Sequence, residues 1–442
     1  MGSIFQSNPV NYFAPIPEEI TLMAGKPNSG TGALDDELCE DVKNCGFNAI
    51  GATIGIANVA SSLKNCANHG LKLFLHNYST YLKSGEFIDE YKNRDGLGGW
   101  IMEFLASYNK LQTKTANAGY LPIAEANNLL IEKELVSSDS KDIKHPVFIG
   151  IGGDWNRDIN YVPFGSQNPA VYFPDLIKFY QDTFHHSMWP IGYLPDLSPV
   201  NTSQIPVERQ KMYYKTLQYM AYISRYTATP FWMYVRCQGL KGYYNMQGAS
   251  PTLNMLRGLV FTSLAYGAQG IYYWNYRQDP SSSTGNPTYF DAPIDPAGQK
   301  TQTWNMVKTI NGEVKAFNKV FCGCEMIDCR HLSSIIDDNN AENMRMMEKP
   351  MGPLMSIAKT DGSKPDVLVS HINNSGTDYL VIIANPFELN VNKTQKLVLH
   401  FSSYWHITRP QIVGANFVWQ ILTNYDYPVT LSPGDYIIFR WE

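Results

Sequence analysis

Eight apolar runs of strand length, separated by helix-like material, restrict the fold of this chain more than any other feature. In order they are Ile20–Gly25, Phe47–Ile54, Leu71–His76, Leu97–Glu103, Pro146–Trp155, Trp189–Leu194, Phe231–Arg236 and Ile271–Tyr276. Near-continuous hydrophobicity belongs to strands buried on both faces, the condition of a parallel sheet covered by helices. The eighth unit reads most clearly. Ser250 is placed to cap a helix and Pro251 to occupy its first turn. Leu253, Leu256, Val260 and Leu264 recur at helical spacing, with Leu259 and Phe261 widening the apolar face. Gly267 ends that helix and Gly270 leads into IYYWNY, a β-branched and aromatic strand. Other helices are expected at Asp35–Asn44, up to His69-Gly70, near Ala124–Leu135 and through Arg209–Arg225.

Eight such units match a (β/α)8 TIM barrel, in the α/β class. A doubly wound open sheet would carry a glycine-rich phosphate turn after its first strand. Here GKPNSGTG at Gly25–Gly32 is neither GxGxxG nor a Walker loop, and it reads as a flexible loop. After a helix near Thr301–Asn318 the texture changes to short alternating runs at 368–372, 379–385, 396–401, 417–422 and 435–441. Asn373-Asn374-Ser375-Gly376, Asn385-Pro386 and Pro433-Gly434-Asp435 supply turns between them. The expectation is a barrel domain over 1–325 and an all-β antiparallel sandwich domain over 326–442.

Charge and motifs narrow the function. A net charge of -5 gives no basic footprint for nucleic acid, and no apolar run approaches the ~20 residues of a membrane span. No export signal is read at the N-terminus. The seven cysteines are scattered, and Cys322, Cys324 and Cys329 lack the paired spacing of a zinc site, so they read as structural thiols. GxSxG, HExxH and EF-hand signatures are absent, and neither a metal nor an organic cofactor is expected.

Several stretches resemble a known family. SLAYGAQGIYYWNY and DAPIDPAGQKTQTWNMVKTINGEVKAF are similar to the eighth strand and helix of glycoside hydrolases from gut Bacteroidetes. DDELCEDVKNCGFNAI with NHGLKLFLHN resembles the first helix and the second and third strands of that group. LSPGDYIIFRWE resembles the last strand of glycosidase sandwich domains. The resemblance implies a site at the C-terminal mouth of the strands, an oligo- or polysaccharide substrate, and export to the periplasm or cell surface. It also implies two carboxylates, one protonating the leaving oxygen while the other attacks the anomeric carbon or activates water.

Glu103, closing the fourth strand in GGWIMEF, fits the acid/base position. The seventh strand, however, ends FWMYVRCQG, with Arg236 and Gln238 where the family's nucleophile is expected. Asp154 after the fifth strand and Asp196 after the sixth are candidates for the second carboxylate, since strand ends converge on one rim. Asp158 and Asp279 lie on neighbouring loops. Trp155 and Trp274 offer flat surfaces for the axial C–H face of a sugar, while Arg236, Gln238, Asn275 and His76 suit its hydroxyls. Trp100 and Trp232 read as core. The missing carboxylate on the seventh strand supports an alternative from another class, a barrel that binds glycans without hydrolysing them. A third reading, an aldolase or other phosphate-handling barrel, is disfavoured: it would expect a Schiff-base lysine on a strand or a glycine-rich phosphate cup after the seventh and eighth strands.

Overall fold

The computed structural model describes residues 18–28, 30–76, 85–106, 144–151, 191–193, 230–241, 250–278, 288–333, 349–388, 392–413 and 416–442, with shorter stretches within 114–136 and 210–224. The eight expected runs form eight strands: β1 Thr21–Gly25, β2 Ala49–Ala52, β3 Lys72–His76, β4 Leu97–Ala106, β5 Val147–Ile151, β6 Ile191–Tyr193, β7 Phe231–Arg236 and β8 Gly270–Trp274. Each pairs in parallel with its sequence neighbour, and β1 pairs with both β2 and β8, so the hydrogen-bonded order returns to its start as a closed barrel. Helices α1 (Asp36–Asn44), α2 (Ile56–Asn68), α3 (Gly85–Tyr91), α4 (Leu253–Ala265) and α5 (Gln302–Ala316) lie between and after the strands. α1 starts where expected, with the Asp35 carboxylate accepting from Leu38 N–H at 2.8 Å and Asp36 and Glu37 in its first turn.

The barrel interior is filled rather than open. Met23, Ala49, Phe74, Ile101, Trp232, Tyr234, Tyr272 and Trp274 pack as one buried cluster. Tyr234 and Tyr272 lie with ring centroids 4.6 Å apart, and Phe74 meets Trp232 at 5.3 Å. Rings this large fit because glycine faces them. A Cβ on Gly25 would sit 2.4 Å from Tyr272 Cε1 and 2.6 Å from the Tyr273 carbonyl, and one on Gly51 would sit 2.6 Å from Tyr272 Cε2. Trp100 and Trp232, read as core, are buried; Trp100 Nε1–H donates to the Glu134 carboxylate at 2.7 Å.

α4 departs from expectation at its start. Thr252 is the cap, its hydroxyl accepting from Met255 N–H at 3.2 Å, while Ser250 Oγ–H donates to Asp291 instead. Threonine stands one residue before the first helical φ/ψ, so its hydroxyl, and not that of Ser250, reaches the open N–H. Leu256 and every residue from Gly258 to Ala265 are buried.

The second cover of α4 is the C-terminal β module. Its strands are β9 Glu325–Leu332, β10 Leu354–Lys359, β11 Val367–Asn374, β12 Thr377–Ala384, β13 Gln395–Phe401, β14 Ile407–Val413, β15 Asn416–Ile421, β16 Asp426–Leu431 and β17 Tyr436–Trp441. One sheet runs β9-β11-β12-β17-β14-β15 and the other β10-β13-β16, and every pairing is antiparallel. Leu354, Leu380, Leu397, Leu399, Phe439 and their neighbours fill the space between the sheets. The expected turn at Asn373–Gly376 joins β11 to β12. Ser375 and Gly376 both take positive φ, +52° and +84°, as a two-residue hairpin loop matched to strand twist requires.

The two parts share one seam. Phe261 stacks on Tyr436 with centroids 3.6 Å apart, and Ser370 Oγ–H donates to the Ala265 carbonyl at 2.6 Å. Arg257 binds both Glu313 carboxylate oxygens and reaches Asp435 at 3.4 Å.

The barrel filling generates a test. Gly25→Ala forces a Cβ against a backbone carbonyl that cannot rotate away, so the variant should lose ~1–3 kcal/mol of unfolding free energy in urea titration. A variant as stable as the wild type would show that Tyr272 has room to move.

Candidate functional site

Because the strands are parallel, their C-terminal ends share one rim, and the residues just past them meet there. Five of those ends are described with their side chains. In strand order round the barrel they are β7, β8, β1, β2 and β3. They carry Arg236 and Gln238, then Trp274 and Asn275, then Lys26, Thr53 and His76.

Arg236 and Trp274 stand opposite each other in the β7–β8 register. Cys237 bridges the same two strands, its N–H donating to the Trp274 carbonyl at 3.0 Å and its thiol to the Asn275 carbonyl at 3.1 Å. The Trp274–Asn275 peptide bond is cis. Gln238 is 3% exposed, and neither end of its amide has a hydrogen-bond partner among the described residues. A buried amide carries a desolvation cost unless a ligand or water satisfies it, which makes Gln238 the clearest mark of a binding function on this arc.

Sequence reasoning missed Lys26. It follows β1 with φ +46°, its N–H donating to the Gly51 carbonyl at 2.9 Å, and its ammonium lies 4.5 Å from the centroid of the Trp274 ring. The loop behind it, expected to be flexible, is tied down. Asn28 is buried and its amide N–H groups donate to the carbonyls of Gly32 at 2.9 Å, Thr53 at 3.1 Å and Gly30 at 3.3 Å. The Pro27-Asn28 pair directly after a strand was the available signal, since asparagine bonds nearby backbone in turns.

His76 is 8% exposed at the end of β3, with Nδ1 3.1 Å from Thr53 Oγ1. Burial, reinforced by the charge of Lys26, pushes its pKa down to about 4, so the ring is neutral at neutral pH. Trp274, expected as an open sugar platform, is 8% exposed with the Lys26 cation over its ring. Thus Arg236, Gln238, Trp274, Asn275 and His76 stand at or just past the ends of β7, β8 and β3, on one rim.

The carboxylates stand differently. Glu103 was expected to close β4, yet the strand continues to Ala106. Glu103 pairs with Ile149 between two register shifts, one after Ile101 and one before Ala106. Such irregularities re-aim the residues they flank and are frequent beside active sites. The Glu103 side chain lies outside the described residues, as do Asp154, Trp155, Asp158, Asp196 and Asp279 entirely.

The histidines generate a second test. His331, under the seam, is 3% exposed with Nε2 3.0 Å from Tyr266 Oη, and burial pushes its pKa down to about 3. Both rings stay neutral in the folded chain below the ordinary 6.5, while the unfolded chain takes up protons. Stability should therefore be complete above pH 6.5 and fall as pH drops towards 4, by roughly 3 kcal/mol per histidine at most. Denaturant titrations across that range should show a shallower decline for His76→Asn and for His331→Asn than for the wild type.

No protein-family profile matches the chain, and no curated protein matches it. Among solved structures it is similar to a beta-galactosidase from Bacillus circulans sp. alkalophilus, at 9% identity and a TM-score of 0.57, over 96% of this chain and 99% of that one. It is also similar to an alpha-amylase from Geobacillus thermoleovorans complexed with acarbose, at 9% identity and a TM-score of 0.52, over 96% and 98% of the two chains. A beta-galactosidase from the psychrophilic Marinomonas ef1 matches over 67% of this chain at 10% identity and a TM-score of 0.44; the chain spans 60% of that protein's length. At these identities the first two likenesses establish a shared fold.

Proposed function

We propose that this chain is a carbohydrate-active barrel of the glycoside-hydrolase type, taking an oligo- or polysaccharide at the C-terminal mouth of its strands. In this reading residues 1–325 form a (β/α)8 TIM-barrel domain that carries the chemistry, residues 326–442 form the sandwich domain, and the protein works exported, in the periplasm or at the cell surface. The observation that carries it is the arc at the mouth: the buried amide of Gln238, without a hydrogen-bond partner among the described residues, beside Arg236, Asn275 and the indole of Trp274. Sugars present hydroxyl donors and acceptors together with apolar C–H faces, and an arc of amides, a guanidinium and an aromatic ring answers both. The shared fold with a beta-galactosidase and an alpha-amylase supports the class.

For hydrolysis, Glu103 is the proposed general acid/base and Asp154 or Asp196 the second carboxylate, with Trp155 at the substrate. The bulged register around Glu103 supports its choice. A second reading has its own support. Arg236 ends β7 where a nucleophile would stand, and a cation there serves binding without turnover. Hydrolysis of an aryl-glycoside and oligosaccharide panel separates the two. Turnover by the wild type, lowered ~10²–10⁴-fold in Glu103→Gln, would establish the enzyme and its acid/base. Glycan-induced stabilisation without turnover, lost in Gln238→Ala, would establish the binding barrel. Turnover unchanged in Glu103→Gln would remove Glu103 from the mechanism and leave the glycosidase.

A further inference from the structure

We propose that Cys39 and Cys66 form a disulfide bond that staples α1 to α2. The proposal goes beyond the carbohydrate reading and takes from it only the exported location, where an oxidising partner is met.

The two helices already stand in the register such a bond requires. Ser62, Asn65, Cys66 and His69 recur at helical spacing and so share one face of α2 and its C-terminal cap. Three of the four are tied to α1 or to the residues that lead into it. Ser62 Oγ accepts from Leu34 N–H at 3.0 Å, Asn65 Nδ2–H donates to the Leu34 carbonyl at 2.8 Å, and His69 Nε2 lies 2.8 Å from the Asp36 carboxylate. Cys66, on the same face, meets Cys39 with the two sulfurs 3.9 Å apart, and both residues are buried. Bonded sulfurs stand ~2.0 Å apart, a difference that a turn of the two short side chains about χ1 can cover while the flanking contacts hold the backbones in place.

Other buried thiols are engaged differently. Cys45 Sγ donates to the Trp304 carbonyl at 3.6 Å and Cys237 Sγ to the Asn275 carbonyl at 3.1 Å, and Cys324 Sγ accepts from Gln269 Nε2 at 3.8 Å. Cys39 and Cys66 instead turn sulfur to sulfur. Their docked thiols are closed to reagents from outside, so the bond forms before α2 settles on α1 or while it is lifted away.

The chemistry is exchange with an external disulfide, carried by an oxidoreductase or a small molecule. One cysteine thiolate attacks that disulfide and displaces one of its sulfurs as a thiolate. The other cysteine thiolate attacks the protein sulfur of the mixed disulfide, which makes the Cys39–Cys66 bond and displaces the second external sulfur. Two electrons pass to the reagent, and the two cysteine protons end on the two thiols released. The bond closes a loop across 27 positions that contains β2 and Thr53, the hydrogen-bond partner of His76 at the mouth, and it removes freedom from the unfolded chain.

The test refolds the reduced full chain with glutathione and glutathione disulfide or, in parallel, with dithiothreitol. Each product is denatured, alkylated and mapped by mass spectrometry without reduction. The oxidised product should yield one cross-linked peptide joining Cys39 to Cys66, lighter by two hydrogens than the reduced pair, with the other cysteines alkylated. It should also melt higher than the dithiothreitol product, by ~5 °C, and that difference should vanish in Cys39→Ala and in Cys66→Ala. The same map on chain exported to a bacterial periplasm and on chain kept in a reducing cytosol covers poor refolding, with the cross-link expected in the exported chain alone. Cys39 and Cys66 alkylated in the oxidised or exported chain, either one bonded to another cysteine, or equal melting of the two products would overturn the proposal. None of these outcomes touches the carbohydrate reading, which its own glycan panel decides.

Discussion

One helix with no solvent face holds this molecule together. α4 is buried along its whole C-terminal two-thirds, from Gly258 to Ala265, because it has the barrel on one side and the sandwich on the other. Such a helix cannot be stable alone or on the barrel alone, since half its apolar surface would remain in water. The contacts that close it are specific as well as apolar. Gly258 lets Pro386 and Gly434 approach closer than any Cβ would allow, Phe261 lies flat on Tyr436, and Ser370 satisfies the carbonyl of Ala265 near the helix end. Arg257, at the wetter end, ties α5 and the β16–β17 turn to the same helix through Glu313 and Asp435. The barrel and the sandwich are thus two covers of a single element, and β8, which leaves α4 directly, inherits its position from both.

Much of this was legible in the chain before any coordinates. Strands buried on both faces must be apolar throughout, so the eight barrel runs announce themselves, and β7 matches its run residue for residue. The all-round hydrophobicity of α4 was visible too, in Leu259 and Phe261 beside the Leu253–Leu264 stripe, though not what it packs against. The sandwich was harder. β11, β12, β13, β15 and β17 alternate or run apolar and were expected. β9, with Asp328, Arg330 and His331, and β14, with Pro410, hide their strand character behind charge and proline. Sheet pairing supplies their stability, and pairing is a property of neighbours that no local window contains.

The site divides the same way. Residues at strand ends can be placed by counting strands, which is why Arg236, Gln238, Trp274, Asn275 and His76 fall on one rim. Lys26 escaped because its significance lies in a backbone angle and in a ring contributed from 248 positions away, neither of which is written in GKPNSG. Similarly, Glu103 was placed at a strand end because the hydrophobic run stops there. Hydrogen bonding carries β4 on to Ala106, since bulges let a strand continue past a break in its pattern.

The seam also sets an order of events at the ribosome. The face of α4 that Tyr436 covers is made far ahead of β17, which pairs with β12 and β14 in the interior of its sheet. At ~5–20 residues per second of synthesis, an apolar helix flank waits on the order of ten seconds for its cover. During that interval the nascent chain presents a greasy stripe to the cell, so its yield depends on whether a chaperone or a provisional barrel shelters that stripe until the last strand slots in.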